Sequence, residues 1–547
     1  MEQEHPRSIS EGAAVAEPTP HSARPVRISR SAAWPVWVHA ATLVGGLVLL
    51  LVLARDQWFY LDEWDILWGP QAARRALEGH NGHWSVVPIA VWRLLQSVFG
   101  LSSYLPYVTV SILAHLVVAH LLWRVMRRVG VAPWIGVALS TVFVLLGAAG
   151  ENLFWGFQMG FMGAIAFGLG ALLLAMRPTI TPWRVAACAL LLLLGVATAG
   201  TVLPLFIPVT LTLLVRHGWR MTAVAVLPPG VAYLIWYIFF ETGNPTATLR
   251  ASGIQSLFTD VPVFIATMIV GGLDKVTPVP GFGIVLTTAL VIGAVVAIGR
   301  RALRPDTITV LGLLAAAVFF AALTAYSRVG AGIGSATDSR YLYVIVVMTL
   351  PAIGLLLTRL VGHSLAREIV VLTLIAAVGI YNVGLLIGAA AAGADSEQRT
   401  HRIISAALDL ADEYPDDVDG AGRPAPPTAQ RSLAELQQLE SEFGLTRVPY
   451  TESDRLEALA DISLSATPTT APGSCDQPLA VGESFPLDAE GRVLQAEDQG
   501  EVTLWLRSDG TEALRTLPLA EGATEVAIAA PVTAVVDEVS GSVSLCR

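Results

Sequence analysis

The sequence predicts an α-helical polytopic membrane protein of about 11 transmembrane helices, carrying a small C-terminal β-sandwich. Three observations lead there. The 547-residue chain is 54% hydrophobic and only 14% charged, with a mean hydropathy of +0.61. Apolar runs of about 18 residues or more, long enough to cross a bilayer, recur between residues 31 and 394. From about Cys475 onward the helical period gives way to alternation broken by turn signals.

Charge divides the chain at the same place. Residues 395–547 hold 28 acids and 10 arginines; the whole chain has 44 acids and 34 bases, which leaves 16 and 24 for the rest. A basic membrane part and an acidic tail argue against nucleic acid as a partner. The bilayer itself is the expected surrounding.

Residues 1–30, rich in Pro, Ser, Ala, Glu and Arg without apolar period, read as a disordered cytoplasmic N-terminus. No cleavable signal is apparent before the first run. Arg24, Arg27 and Arg30 stand before it and hold that end in the cytoplasm by the positive-inside rule. Spans are expected at 34–54, 104–123, 133–150, 156–176, 185–199, 201–215, 221–240, 281–299, 308–326, 341–358 and 368–391. They form a transmembrane domain of 31–394 whose first outer loop covers 55–103. Arg124, Arg127 and Arg128, then Arg177 and Arg184, Arg216 and Arg220, Arg300, Arg301 and Arg304, and finally Arg359 and Arg367 occupy alternate connections. Those are the cytoplasmic connections of an eleven-span chain. An odd count sends the tail outside, which makes a multi-pass plasma-membrane protein with an extracytoplasmic C-terminal domain. Residues 260–272 are apolar but short, and Lys275, Pro278, Pro280 and Gly281 follow, so this stretch reads as an interfacial or re-entrant piece of the outer loop 241–280.

Beyond the spans, 395–474 reads as an extracytoplasmic helical and linker segment. Ile403, Ile404, Ala407, Leu408 and Ala411 share one helical face over 396–413, a Pro/Gly/Asp-rich linker follows at 415–427, and short helices are expected at 430–443 and 454–462. Residues 475–547 form the β domain, with Asp509-Gly510 and Glu521-Gly522 as turns. Cys475 and Cys546 bracket it, as a disulfide clamp in an oxidising compartment would. Cys188, inside an apolar run, reads as a packing residue.

The chemistry gathers after the first span. Asp62, Glu63 and Asp65 fall within four positions among Trp58, Phe59, Tyr60, Trp64 and Trp68, and His80-Asn-Gly-His83-Trp84 follows. Acids at a membrane boundary are costly, and aromatic rings favour that depth, so the cluster marks a carboxylate site at a membrane mouth. A carboxylate shielded by indoles rises toward the range of a general base, although single acids there also simply solvate a loop. His80 and His83 could contact an acceptor, support the acids or ligate a metal, and a divalent cation is left open. Glu151, Asn152 and Gln158 open the second outer connection, where they could bond sugar hydroxyls or cap a helix. Arg328 and Arg340 flank the outer loop 330–338; Arg340 could chelate a phosphodiester or anchor at the interface beside Tyr341 and Tyr343. His115 and His120 lie within a span and read as satisfied interhelical polar groups.

A long first outer loop that opens with Asp62-Glu63, on a chain of about eleven spans with an outer tail, resembles the GT-C class of membrane glycosyltransferases. That class includes the protein O-mannosyltransferases, the lipid A aminoarabinose transferases and the mycobacterial arabinosyltransferases, and the resemblance is read as actinobacterial in type. The stretch from His80 to Pro88 is similar to the His/Pro-containing segment that precedes an amphipathic helix in such enzymes, here 89–99. The likeness is best over 34–175 and names no sugar. It implies a hexosyl- or pentosyltransferase that takes a sugar from a polyprenyl-phosphate donor to a cell-envelope acceptor (glycan, lipid or protein) on the outer face. It puts Asp62 in the general-base position, with Glu63 assisting. Asp65, His80, His83, Trp84, Glu151, Asn152, Gln158 and Arg340 are then the candidates for substrate binding. Two other readings remain: a transporter or flippase of lipid-linked material, which would hold charges at mid-span, and an envelope assembly protein whose β domain binds partners.

Overall fold

The computed structural model describes residues 33–68, 79–80, 82–241, 248–251, 253–301, 303–426, 428–470, 475 and 477–546. The expected disorder of 1–30, Arg24, Arg27 and Arg30, and Asn81 of the histidine motif lie outside these residues. Among those described, ten helices are long and apolar enough to cross a membrane, or eleven if one bent pair is counted as a span. The chain is therefore a multi-pass membrane protein.

Local sequence explains where the helices begin and break. Proline, which lacks an N–H to satisfy and has its φ already set, stands in the first turn of Trp34–Leu53, Leu105–Val129, Pro133–Val144, Pro182–Val196 and Pro305–Arg328. The span expected at 133–150 is instead two helices, Pro133–Val144 and Gly147–Phe154, that meet at a bend of 41°. Gly147 lies flat on the Leu365–Glu413 helix, where any side chain would strike the backbone of 382–386. The run expected at 185–199 forms only the 15-residue helix Pro182–Val196. By length that helix is too short to span alone. The chain turns at Ala197, whose carbonyl accepts from Val87 N–H, and descends again through a 3-10 turn at Gly200–Leu205.

The stretch expected to be interfacial is a 23-residue apolar helical unit, Gly253–Lys275, interrupted by a π turn at Thr267–Gly271. It is long enough to span, yet it runs beside the 329–338 connection. Ala251 N–H donates to Tyr326 O at one end, and Lys275 Nζ donates to Thr337 O at the other. One end is thus tied to the end of the Pro305–Arg328 helix and the other to the 329–338 connection, and by length and composition the unit counts among the ten candidate spans.

The arginine-bearing connections meet on the opposite face. Arg216 pairs with Asp306 at 2.5 Å, and Arg128 Nη1 donates to Leu173 O. The two spans joined through His115 show how buried polar groups are met, because its ring reaches Tyr343 Oη at 3.0 Å and Val144 O at 3.2 Å.

The last span does not stop at the membrane. Leu365–Glu413 is one 49-residue helix, so the amphipathic segment 396–413 is its continuation, and Ile403, Ile404, Ala407, Leu408 and Ala411 are buried against the tail. Two capped helices follow, Leu433–Phe443 with a Ser432/Glu435 capping box and Glu452–Ser463 with a Thr451/Asp454 box. The second starts two residues before the expected 454.

The sandwich begins ten residues ahead of Cys475, at β1, Ser465–Thr469. Then come β2 (Gln477–Pro478), β3 (Ser484–Leu487), β4 (Arg492–Ala496), β5 (Gly500–Ser508), β6 (Thr511–Leu519), β7 (Gly522–Ala527), β8 (Val532–Val539) and β9 (Val543–Leu545). They form two antiparallel sheets of order β1-β7-β4-β9-β2 and β3-β8-β5-β6. Alternation sets the core: Val502, Leu504 and Leu506 of β5 are buried between sheets while Thr503, Trp505 and Arg507 face out. Asp509 and Gly510, both with positive φ, make the tight β5–β6 turn that two-residue hairpins require. A disulfide joins Cys475 to Cys546 across 71 residues, and Cys188 is free and buried.

Candidate functional site

The segment after the first span is short of regular structure and long on contacts. Leu61, directly before Asp62, has φ +47°, a left-handed backbone that costs a branched residue on the order of 1 kcal/mol. Its N–H donates to Thr428 O at 2.9 Å. The five-residue helix Glu63–Leu67 follows. Its exposed C-terminal carbonyls are met from the amphipathic helix Val86–Phe99: Gln96 Nε2 donates to Leu67 O at 3.0 Å, and Arg93 donates to Leu67 O and Trp68 O.

The two members of the acid pair face different ways. Asp62 lines a cavity of about 330 Å³, while Glu63 is fully buried and turned from it. Glu63 Oε1 accepts from Tyr104 Oη at 2.8 Å and Phe157 N–H at 3.0 Å, and its Oε2 accepts from Tyr60 N–H at 2.9 Å. Three donors thus knit the loop to two spans. Burial pushes the Glu63 carboxyl up to about 8, the three donors pull the other way, and the Asp62 charge adds a smaller push upward. The expectation that an indole-shielded acid rises therefore applies to Glu63. Burial, with Glu63 beside it, raises the Tyr104 hydroxyl well above its ordinary range.

The histidines come in through a tight turn. His80 and His83 exchange backbone hydrogen bonds at 2.8 and 2.9 Å, and Gly82 between them has φ +81°, which glycine adopts freely. His80 Nε2 lies 3.5 Å from Asp62 Oδ2. His83 reaches deeper, into the notch left by the short Pro182–Val196 helix, where its Nδ1 accepts from Gly200 N–H at 3.3 Å. Burial, then Arg328 and His80, push His83 down to about 4, so it is neutral at pH 7 and its proton sits on Nε2. Trp84 stacks on Trp236 at 5.8 Å and props the turn from below.

His80 and His83 do not form a metal pair. The donors that converge are Asp62, Asp65 and His80, whose ligand atoms lie within 4.8 Å of one another, an oxygen-rich set that suits a hard divalent cation. Asp65 is already ion-paired with Arg431 of the tail.

The same cavity is lined by guanidinium groups, those of Arg250, Arg328 and Arg340. Arg340 is doubly paired, with Glu151 at 3.1 Å and Asp338 at 3.0 Å. Arg250 pairs with Glu241 at 3.4 Å. Arg328 has no hydrogen-bond or ion-pair partner among the described residues. The walls are aromatic, including Trp155, Phe157, Phe161, Tyr233 and Tyr341. Tyr237, Leu323 and Tyr326 also line the cavity and are exposed on the surface of the helical bundle, so it opens sideways between Trp219–Phe239 and Pro305–Arg328.

Of the residues expected at the site, Asp62, His83, Gln158 and Arg340 line this cavity, and His80 contacts Asp62. Glu151 stands behind Arg340, Asp65 beside Asp62, and Trp84 under the turn. Asn152 is fully buried with its amide donating toward Gln158 Oε1 at 3.4 Å, a support for Gln158 that stays off the cavity wall. Arg250, Glu241, Tyr233 and Tyr237 were not expected. Tyr237 and Glu241 stand four apart at a helix exit, a spacing that could have flagged them.

No protein-family profile and no curated protein sequence matches the chain. Among solved structures it is similar to the crystal structure of ArnT from Cupriavidus metallidurans in the apo state, with 14% sequence identity and a TM-score of 0.42 over 76% of this chain and 90% of that one. That likeness is too distant to carry a functional inference.

Proposed function

We propose that the protein is a GT-C-type membrane glycosyltransferase that moves a sugar from a polyprenyl-phosphate donor to a cell-envelope acceptor on the extracytoplasmic face. The observation that supports this most is one cavity lined by Asp62, by three guanidinium groups and by residues exposed on the side of the helical bundle. In transfer by inversion, an acceptor hydroxyl attacks the anomeric carbon opposite the leaving phosphate and loses its proton as it does so. Asp62 is the base in this reading, oriented by His80. The leaving phosphate is already acidic and needs positive charge more than a proton. Arg328 supplies that charge, with Arg340 held behind it by Glu151 and Asp338. Aromatic walls and neutral His83 and Gln158 are suited to a sugar's apolar faces and hydroxyls. Glu63 does not touch substrate here; it fixes the loop.

A divalent cation on Asp62, Asp65 and His80 would compete with the acceptor proton for the Asp62 oxygens. The test is Asp62→Asn in proteoliposomes with a lipid-linked sugar, assayed with and without chelator. The variant should insert normally and lose transfer by at least about 10²-fold, and chelator should leave the native enzyme active. Transfer retained in Asp62→Asn would remove the assigned base.

A further inference from the structure

The loop that carries Asp62 is held in large part by the end of the Leu365–Glu413 helix and the segment that follows it. Trp58 N–H donates to Glu397 Oε2 at 2.6 Å, and the Trp58 indole stacks on His401 at 3.8 Å and 9°. Gln398 Nε2 donates to Asp56 O at 2.9 Å, and Gln57 Nε2 to Ala390 O at 2.7 Å. Thr428 O receives the N–H of left-handed Leu61, and Arg431 pairs with Asp65. Glu397, His401, Gln57 and Trp58 are all buried. The His401 ring is itself fixed, since its Nε2 donates to Thr446 O at 2.7 Å.

We propose that the segment 390–446 is a clamp that sets the position of the base, with Glu397 and His401 as positioning residues acting through Trp58. This rests on the reading of Asp62 as base. The reasoning is local. Residues 55–61 have no helix or strand to fix them, and a left-handed Leu61 persists only where its surroundings over-determine it. Of the groups that do so, Glu397, His401, Thr428 and Arg431 all belong to the tail. A buried carboxyl whose hydrogen-bond partner among the described residues is a backbone N–H is an expensive way to make one hydrogen bond unless the place of that backbone matters.

The experiment uses the full-length protein in nanodiscs and two readouts. Hydrogen exchange over peptides covering 58–66 reports the clamp without any assay of transfer, and kcat and KM for the lipid donor report its use. Glu397→Ala and His401→Ala should speed exchange over 58–66 and lower kcat by about 10²-fold, the scale of a misplacement near 1 Å, with donor KM within about twofold. Glu397→Gln, which still offers an oxygen to Trp58 N–H, should keep both values near native. Exchange unchanged in both alanine variants overturns the clamp. So does faster exchange with unchanged kcat, or a Gln variant as impaired as the Ala one. Transfer surviving Asp62→Asn would instead sink the assigned base, and the exchange data would still judge the clamp.

Discussion

Adjacent acids, Asp62 and Glu63, end in opposite electrostatic settings because a short helix turns successive side chains by about 100°. The spacing made a division of labour legible; which acid reached the cavity was settled by Tyr104 and Phe157, distant in sequence. Burial raises the folded-state Glu63 carboxyl from 4.5 to about 8. A raised acid contributes stability that is full below pH 4.5 and lost as pH rises through about 8. Thermal unfolding in detergent should therefore show the melting temperature falling over that window, and Glu63→Gln should flatten the slope. An unchanged slope would mean the carboxyl is not the titrating group. Of the two arginines flanking the glycine-rich loop, the sequence singled out Arg340 for the donor phosphate. Only the fold shows that both line the cavity and that Arg340 is paired there with Glu151 and Asp338. Arg328→Ala should raise the KM for a lipid-phosphate donor about tenfold or more, the 1.5–3 kcal/mol scale of a charge-assisted hydrogen bond, measured by initial rates. An unaltered KM would take the donor phosphate away from it.

Elements were readable wherever hydrophobic period decided them, and less so where neighbours did. The run around Pro182–Val196 is apolar well past its helix, but Gly195 and Gly200 let the chain fold over and admit the His83 ring. Nothing in local composition marks that notch. The 396–413 face is helical and buried as its period indicated, yet its fusion to the last span was missed because the apolar run ends at Asp395, where polar residues begin but no proline breaks the helix. In the sandwich, alternation and the Asp509-Gly510 turn sufficed, except that β1 lies before Cys475 and reads as linker until β7 supplies its partner. The Cys475–Cys546 bond ties the edge next to β2 to the end of β9. Cys475→Ser should lower the stability of this domain by about 2–5 kcal/mol, seen as a lower melting transition and loss of the mobility shift on non-reducing gels. A native transition without the bond would make the clamp decorative.

At the scale of the whole molecule, charge orders the architecture. The arginine connections gather on one face, and the acidic tail, the 55–65 loop and the cavity on the other. With positive charge kept inside, a cysteine placed at exposed Ser441 should react with an impermeant maleimide on intact cells. One at Arg300 should react only after permeabilisation. The reverse pattern would put the cavity in the cytoplasm and end the glycosyltransferase reading.

The 49-residue helix from Leu365 to Glu413 has a mechanical corollary. It is a single strut that starts beside the arginine-bearing connections, ends in the sandwich's supporting layer, and touches the 55–61 loop through Glu397, Gln398 and His401. A displacement of the sandwich would therefore reach Trp58 through one unbroken helix, by way of Glu397 and His401.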